Sequence, residues 1–94
     1  MISRKITLVN EKGLHLRPAG RVCELALTYK AKATMKTGAG EYNLKSMLSV
    51  LAAQVTPGTE LEIICEGPDE KDALESLCSL LTSDLDAKPA DKGT

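Results

Sequence analysis

Glu60-Leu61-Glu62-Ile63-Ile64-Cys65-Glu66-Gly67-Pro68-Asp69-Glu70-Lys71-Asp72-Ala73-Leu74 changes its period part-way along. Leu61 and Ile63 alternate with Glu60 and Glu62, the two-residue repeat of a half-buried strand over residues 60–65. Past Gly67-Pro68 the apolar residues take helical spacing, and Ala73, Leu74, Leu77, Leu80 and Leu81 fall on one face. Asp69 stands where a helix is capped. Glu70 and Asp72 add negative charge to the first turn, which the helix dipole favours. A strand that feeds an amphipathic helix calls for a helix layered on a sheet.

Working outward, residues 2–9 read as a strand, with Ile6 and Leu8 alternating against Lys5 and Thr7. A turn follows over residues 10–13. From Leu16 to about Thr28, Ala19, Val22, Cys23 and Ala26 recur at helical spacing as a buried stripe, and Arg17, Arg21 and Glu24 fall outside it. Residues 31–37 alternate weakly as a second strand. Gly38-Ala39-Gly40 is a tight connection into a short strand through Tyr42 and Leu44. Residues 46–54 are apolar and helical in composition, and Pro57-Gly58 is a turn. The order strand, helix, strand, strand, helix, strand, helix predicts an α+β fold with helices on one sheet face. Residues 1–82 form one domain. Residues 83–94 are polar, contain Pro89 and Gly93, and are expected to fray into a mobile tail.

The bulk numbers narrow the classes. Ninety-four residues with 43% hydrophobic content suit one modest core. That core must be aliphatic, since there is no Trp or Phe and only two Tyr. No apolar run reaches the length of a membrane span and no signal-peptide pattern opens the chain, so a cytoplasmic location without membrane insertion is expected. Cys23, Cys65 and Cys78 are widely spaced and accompany a single histidine, which suits buried thiols better than a metal site. Net charge is −1, but residues 1–54 hold nine Lys or Arg against three acids, and residues 55–94 hold three Lys against ten acids. A basic first half would draw acidic partners and phosphate, or the two halves attract each other within the fold.

The chemistry concentrates in Gly13-Leu14-His15-Leu16-Arg17-Pro18-Ala19-Gly20, which holds the only histidine. Gly13 permits a tight bend. Pro18 fits the first turn of a helix, where an N–H is not missed. Free N–H groups at a helix start favour anions, and Arg17 is a planar phosphate ligand. Imidazole with a pKa of ~6.5 is nucleophilic near neutral pH. This is a site suited to carrying a phosphoryl group. There is no nucleotide-binding glycine loop and no nucleophile elbow, so a complete enzyme is not expected.

The segment resembles the active-site loop of the HPr family, the histidine-containing phosphocarriers of the bacterial sugar phosphotransferase system. The family typically has Gly-Leu-His-Ala-Arg-Pro-Ala, and here Leu16 replaces the common alanine. Asn43-Leu44-Lys45-Ser46-Met47-Leu48-Ser49-Val50-Leu51 is similar to the family's regulatory-serine segment. Pro57-Gly58-Thr59-Glu60-Leu61-Glu62-Ile63 and Cys65-Glu66-Gly67-Pro68-Asp69-Glu70-Lys71-Asp72-Ala73-Leu74 are similar to its glycine turn, last strand and last-helix start. The three blocks agree in order and distance over residues 2–82. The tail beyond Thr82 extends past the usual family end.

The resemblance implies an open-faced sandwich, four antiparallel strands under three helices. It implies His15 as phosphoryl acceptor, through Nδ1, with Arg17 stabilising the phosphate and no cofactor or metal. The partners implied are enzyme I charged by phosphoenolpyruvate, sugar-specific EIIA domains and, through Ser46, HPr kinase/phosphorylase. A nitrogen-linked phosphocarrier branch is the alternative. Ser46 also has a structural role open to it as a helix N-cap. Leu16, Ala19, Gly20, Met47, Leu48 and Leu51 are expected to form an exposed apolar docking surface, and a phosphate on Ser46 to repel an acidic enzyme I face. The chain is expected to be a monomer. A nucleic-acid module is disfavoured by the lack of aromatic stacking residues, and a purely allosteric relative with an idle histidine by the presence of His15, Arg17 and Pro18 together.

Overall fold

A computed structural model describes residues 1–8 and 16–82, with the backbone alone at residues 16 and 17. The elements run β1 (Ile2–Thr7), α1 (Leu16–Leu27), β2 (Lys32–Thr37), β3 (Gly40–Asn43), α2 (Met47–Ala52), β4 (Glu60–Glu66) and α3 (Glu70–Leu81). The order read from the sequence is the order found. The expected turn at residues 10–13 and tail at residues 83–94 lie outside the described residues, as does Val9.

The four strands form one antiparallel sheet in the order β1-β4-β2-β3. Alternation in β4 sets its faces: Leu61, Ile63 and Cys65 are buried beneath the helices. In register with them, Ala33 and Met35 of β2 are also buried. The helices close over this floor with Ala19, Val22 and Ala26 from α1, Val50 from α2, and Ala73, Leu74, Leu77 and Leu81 from α3. Removing a side chain such as Ile63 or Leu77 from water stabilises the fold by about 2 kcal/mol. The architecture is the open-faced sandwich: helices on one side, water on the other.

The open face explains much of the charge asymmetry. Lys5, Glu62, Lys36 and Glu41 stand opposite one another in register across all four strands, alternating in sign. Glu66 faces Lys32 at the next row but one. Opposite charges placed this way favour the register by a few tenths of a kcal/mol each, about 0.2–1. Arg4 also meets Glu75 of α3 at 3.9 Å. Apart from Glu41, which belongs to the first half itself, these pairs set bases of the first half against acids of the second.

Two local readings are corrected. Asp69 occupies the N-cap position of α3, but its carboxylate makes no cap bond to that helix. It accepts instead from Lys30 N at 2.9 Å and Ala31 N at 2.8 Å, pinning the turn between α1 and β2. These backbone donors hold its carboxyl below the usual carboxylate range. The helix over residues 46–54 is shorter than its composition suggests: α2 ends at Ala52, and Gln54 adopts φ +50. Cys23, Cys65 and Cys78 are free and buried, as expected. Burial pushes the Cys65 thiol up to about 11 and raises that of Cys78. Among the described residues no helix is long and apolar enough to cross a membrane, and no group of acids and thiols is placed to hold a metal ion.

Candidate functional site

Helix α1 begins at Leu16, the residue after His15 in the chain. Pro18 lies in its first turn and is fully buried, where its missing N–H removes no helical bond. His15 lies outside the described residues, as do the side chains of Leu16 and Arg17.

Helix α2 is built on a small network of polar bonds. Ser46 is its N-cap, with φ −111 and ψ 115, and its Oγ accepts from Ser49 N at 3.2 Å. Ser49 Oγ accepts from Asn43 N at 2.9 Å, and Asn43 Oδ1 accepts from Lys45 N at 2.9 Å. The capping role read for Ser46 is therefore present. The network fixes the angle at which α2 leaves β3.

Contacts between α1 and α2 bring the two sequence blocks together. A Cβ on Gly20 would lie 3.5 Å from Met47 Cε, so a small residue there lets the methionine rest on α1. Cys23 Sγ donates to Lys45 O at 3.1 Å, and Lys45 Nζ donates to Tyr29 O at 2.8 Å at the end of α1. On α2, Val50 is buried and Leu48 is 82% exposed. Met47 and Leu51 are half-buried, and Leu51 packs against the core.

The expected docking surface is thereby divided. Gly20 of α1 and Met47 of α2 are brought together, Leu48 next to Met47 stands in solvent, and Leu51 turns toward the core. Ala19 is not part of it: at 0% exposure it belongs to the core. It shares the helical face of Val22 and Ala26, and a helix residue cannot face the core and a partner at once. Sequence reasoning passed over Leu27, which is 61% exposed. The signal was its spacing of seven from Gly20, on the same side of α1.

The structure is a sandwich with one open sheet face, in which Met47 at the start of α2 rests against Gly20 of α1, five residues after the lone histidine in sequence. The family model described as the PTS HPr component phosphorylation site matches residues 2–83. The phosphocarrier protein HPr of Treponema pallidum is 32% identical over 77 residues, covering 82% of this chain and 88% of that one. The phosphocarrier protein NPr of Proteus mirabilis is 29% identical over 84 residues, covering 88% and 93%. The crystal structure of HPr-C-His from Thermoanaerobacter tengcongensis superposes with a TM-score of 0.83 at 27% identity, covering 86% of this chain and 91% of that one. This chain belongs to the HPr family of the phosphotransferase system, whose members are phosphocarrier proteins and not catalytic enzymes.

Proposed function

We propose that this chain accepts a phosphoryl group on His15 from phosphoenolpyruvate-charged enzyme I and donates it to sugar-specific EIIA domains. The observation that carries this reading is the family match over residues 2–83, which spans His15, Arg17 and Ser46. The imidazole lone pair attacks phosphorus, the donor's bond to phosphorus breaks, and a labile P–N bond forms. The first N–H groups of α1 lack intrahelical partners and suit phosphate oxygens. Arg17 adds a charge-assisted bond. Gly20, Met47, Leu48 and Leu51, with Leu16, form the surface that partners cover. The carrier works as a cytoplasmic monomer and needs no cofactor, metal or nucleic acid.

Ser46 is the regulatory position in this reading. Its phosphate would carry a charge of about −1.5 to −2 beside exposed Leu48, placed there by HPr kinase/phosphorylase. The likeness to an NPr supports a second reading, in which the same histidine serves the nitrogen branch. Transfer to a sugar-specific EIIA, compared with transfer to a nitrogen-branch acceptor, separates the two.

The test is incubation with phosphoenolpyruvate and enzyme I, followed by intact mass measurement. One acid-labile, base-stable phosphoryl group is expected on the wild-type chain and none on His15→Ala. Labelling that persists in His15→Ala overturns the assignment.

A further inference from the structure

Twelve residues, 83–94, follow Thr82, and Leu85 is the one large apolar side chain among them. Helix α3 stops just before them. Thr82 caps it with φ −95 and ψ 3, and Thr82 Oγ1 donates to Cys78 O at 2.8 Å. The chain leaves there beside a groove. Helices α1 and α3 run antiparallel: Asp69 at the start of α3 holds Lys30 beyond the end of α1, while Leu80 near the end of α3 shares a cavity with Arg21 near the start of α1. That cavity, of about 440 Å³, and a second of about 530 Å³ have Leu25 and Leu80 in common. Both leucines are half-buried.

Length and charge suit the tail to this groove. The three residues from Thr82 to Leu85 span at most ~10 Å when extended, enough to bring Leu85 over Leu80 and Leu25. Along α1 the groove meets Arg21 and then, one turn on, Glu24, both exposed. Along the tail Asp84 and Asp86 come first and Lys88 next. A tail that runs from the end of α3 back along α1 therefore meets opposite charges in matching order. In an extended segment Leu85 points to one side and Asp84 and Asp86 to the other. The leucine enters the groove while both carboxylates stay at its wet rim. On the α3 side Glu75 meets Arg4 at 3.9 Å, and Ser76 meets Tyr29 Oη at 2.6 Å, so the acid of that rim already faces a base of β1.

We infer that residues 83–88 fold back along the groove between α1 and α3, with Leu85 against Leu25 and Leu80, Asp84 and Asp86 at Arg21, and Lys88 toward Glu24. The occupant is the chain's own tail, in place of the mobile segment that composition suggests. The docking lies apart from the contact between Gly20 and Met47 and does not depend on the phosphocarrier reading.

The experiment is methyl NMR on the full-length chain with isotope-labelled leucine. Nuclear Overhauser contacts from Leu85 to Leu25 and Leu80 are expected within one molecule. Contacts found only between labelled and unlabelled copies put a second chain in the groove and overturn the inference. Random-coil shifts for Leu85 overturn it as well, and enzyme I that then perturbs the Leu25 and Leu80 methyls assigns the groove to that partner instead. Urea denaturation gives an independent reading. Leu85→Ser should lower the folding equilibrium constant about fivefold, the worth of half-burying one leucine, and Leu85→Met should keep it. Arg21→Glu should lower it about twofold, and Asp84→Lys with Asp86→Lys in that background should restore it. A Leu85→Ser chain as stable as wild type overturns the inference.

Discussion

Asp69 holds Ala31 by its backbone: the carboxylate accepts the Ala31 N–H at 2.8 Å and that of Lys30 at 2.9 Å. One side chain at the start of α3 thereby fixes the chain between α1 and β2. The carboxyl is held below its ordinary value, so its contribution is complete above the usual carboxylate range. It is lost as pH falls through the depressed value, because the unfolded chain takes up the proton first. Denaturant melts at a series of acid pH values should show wild-type stability falling on acidification. Asp69→Asn should be less stable at neutral pH and show a flatter acid slope. Parallel acid profiles for the two proteins would contradict this role.

Gly67 is the neighbouring requirement. Its φ is +155, and a Cβ there would lie 2.6 Å from Ala31 Cα, a backbone atom that cannot turn aside. Gly67→Ala should cost about 2 kcal/mol or more. Gly58 has φ +83 but open space around it. Gly58→Ala should therefore cost only about 1 kcal/mol, the strain of the left-handed backbone. Urea denaturation of both variants measures the difference.

Cys65 governs the alkaline side. Burial raises its thiol from 9.0 to about 11, so the folded state keeps the proton longer than the unfolded one. Its stabilising contribution is intact below pH 9.0 and declines as pH rises toward about 11. Cys65→Ala should lose less stability than wild type between those values. Native protein should also resist thiol reagents at position 65 until denaturant is added.

At Ser46 the cap and the proposed regulatory charge can be separated. Ser46→Ala removes the acceptor for Ser49 N and should cost about 1 kcal/mol. Ser46→Asp keeps an acceptor there and should stay within about 0.5 kcal/mol of wild type. It should nevertheless slow labelling of His15, since the charge stands beside the apolar surface that a partner must dry. Equal labelling rates for wild type and Ser46→Asp would count against any coupling between the two positions.

Arg17 should matter to transfer and not to folding. Arg17→Ala should slow phosphoryl transfer roughly tenfold to a hundredfold, the worth of one charge-assisted bond. Arg17→Lys should recover part of it, because an ammonium lacks the planar fork. Rapid-quench labelling reads the rate, and an unchanged melting temperature separates it from misfolding.

How far the sequence reached depends on the range of the physics. Helix and strand follow from the period of apolar residues within a few positions, so the seven elements and the core stripe of Ala19, Val22 and Ala26 were legible in advance. The Ser46 cap was legible too, because it acts on Ser49 three residues away. The motif around His15 and Arg17 was read from residue type and order alone.

Tertiary structure decided what depends on distant partners. Asp69 looked like a cap because its local setting suits one. Its partner is 38 residues away at Ala31, and only the packing of α3 against the α1–β2 turn brings the two together. Ala19 was assigned to both the core and the docking surface until the position of α1 on the sheet gave it to the core. The same placement left Leu27 and Leu48 in solvent and set Lys5 and Lys36 against Glu62 on the opposite face. A period names the faces of an element, but which face meets protein and which meets water is fixed only when the elements pack.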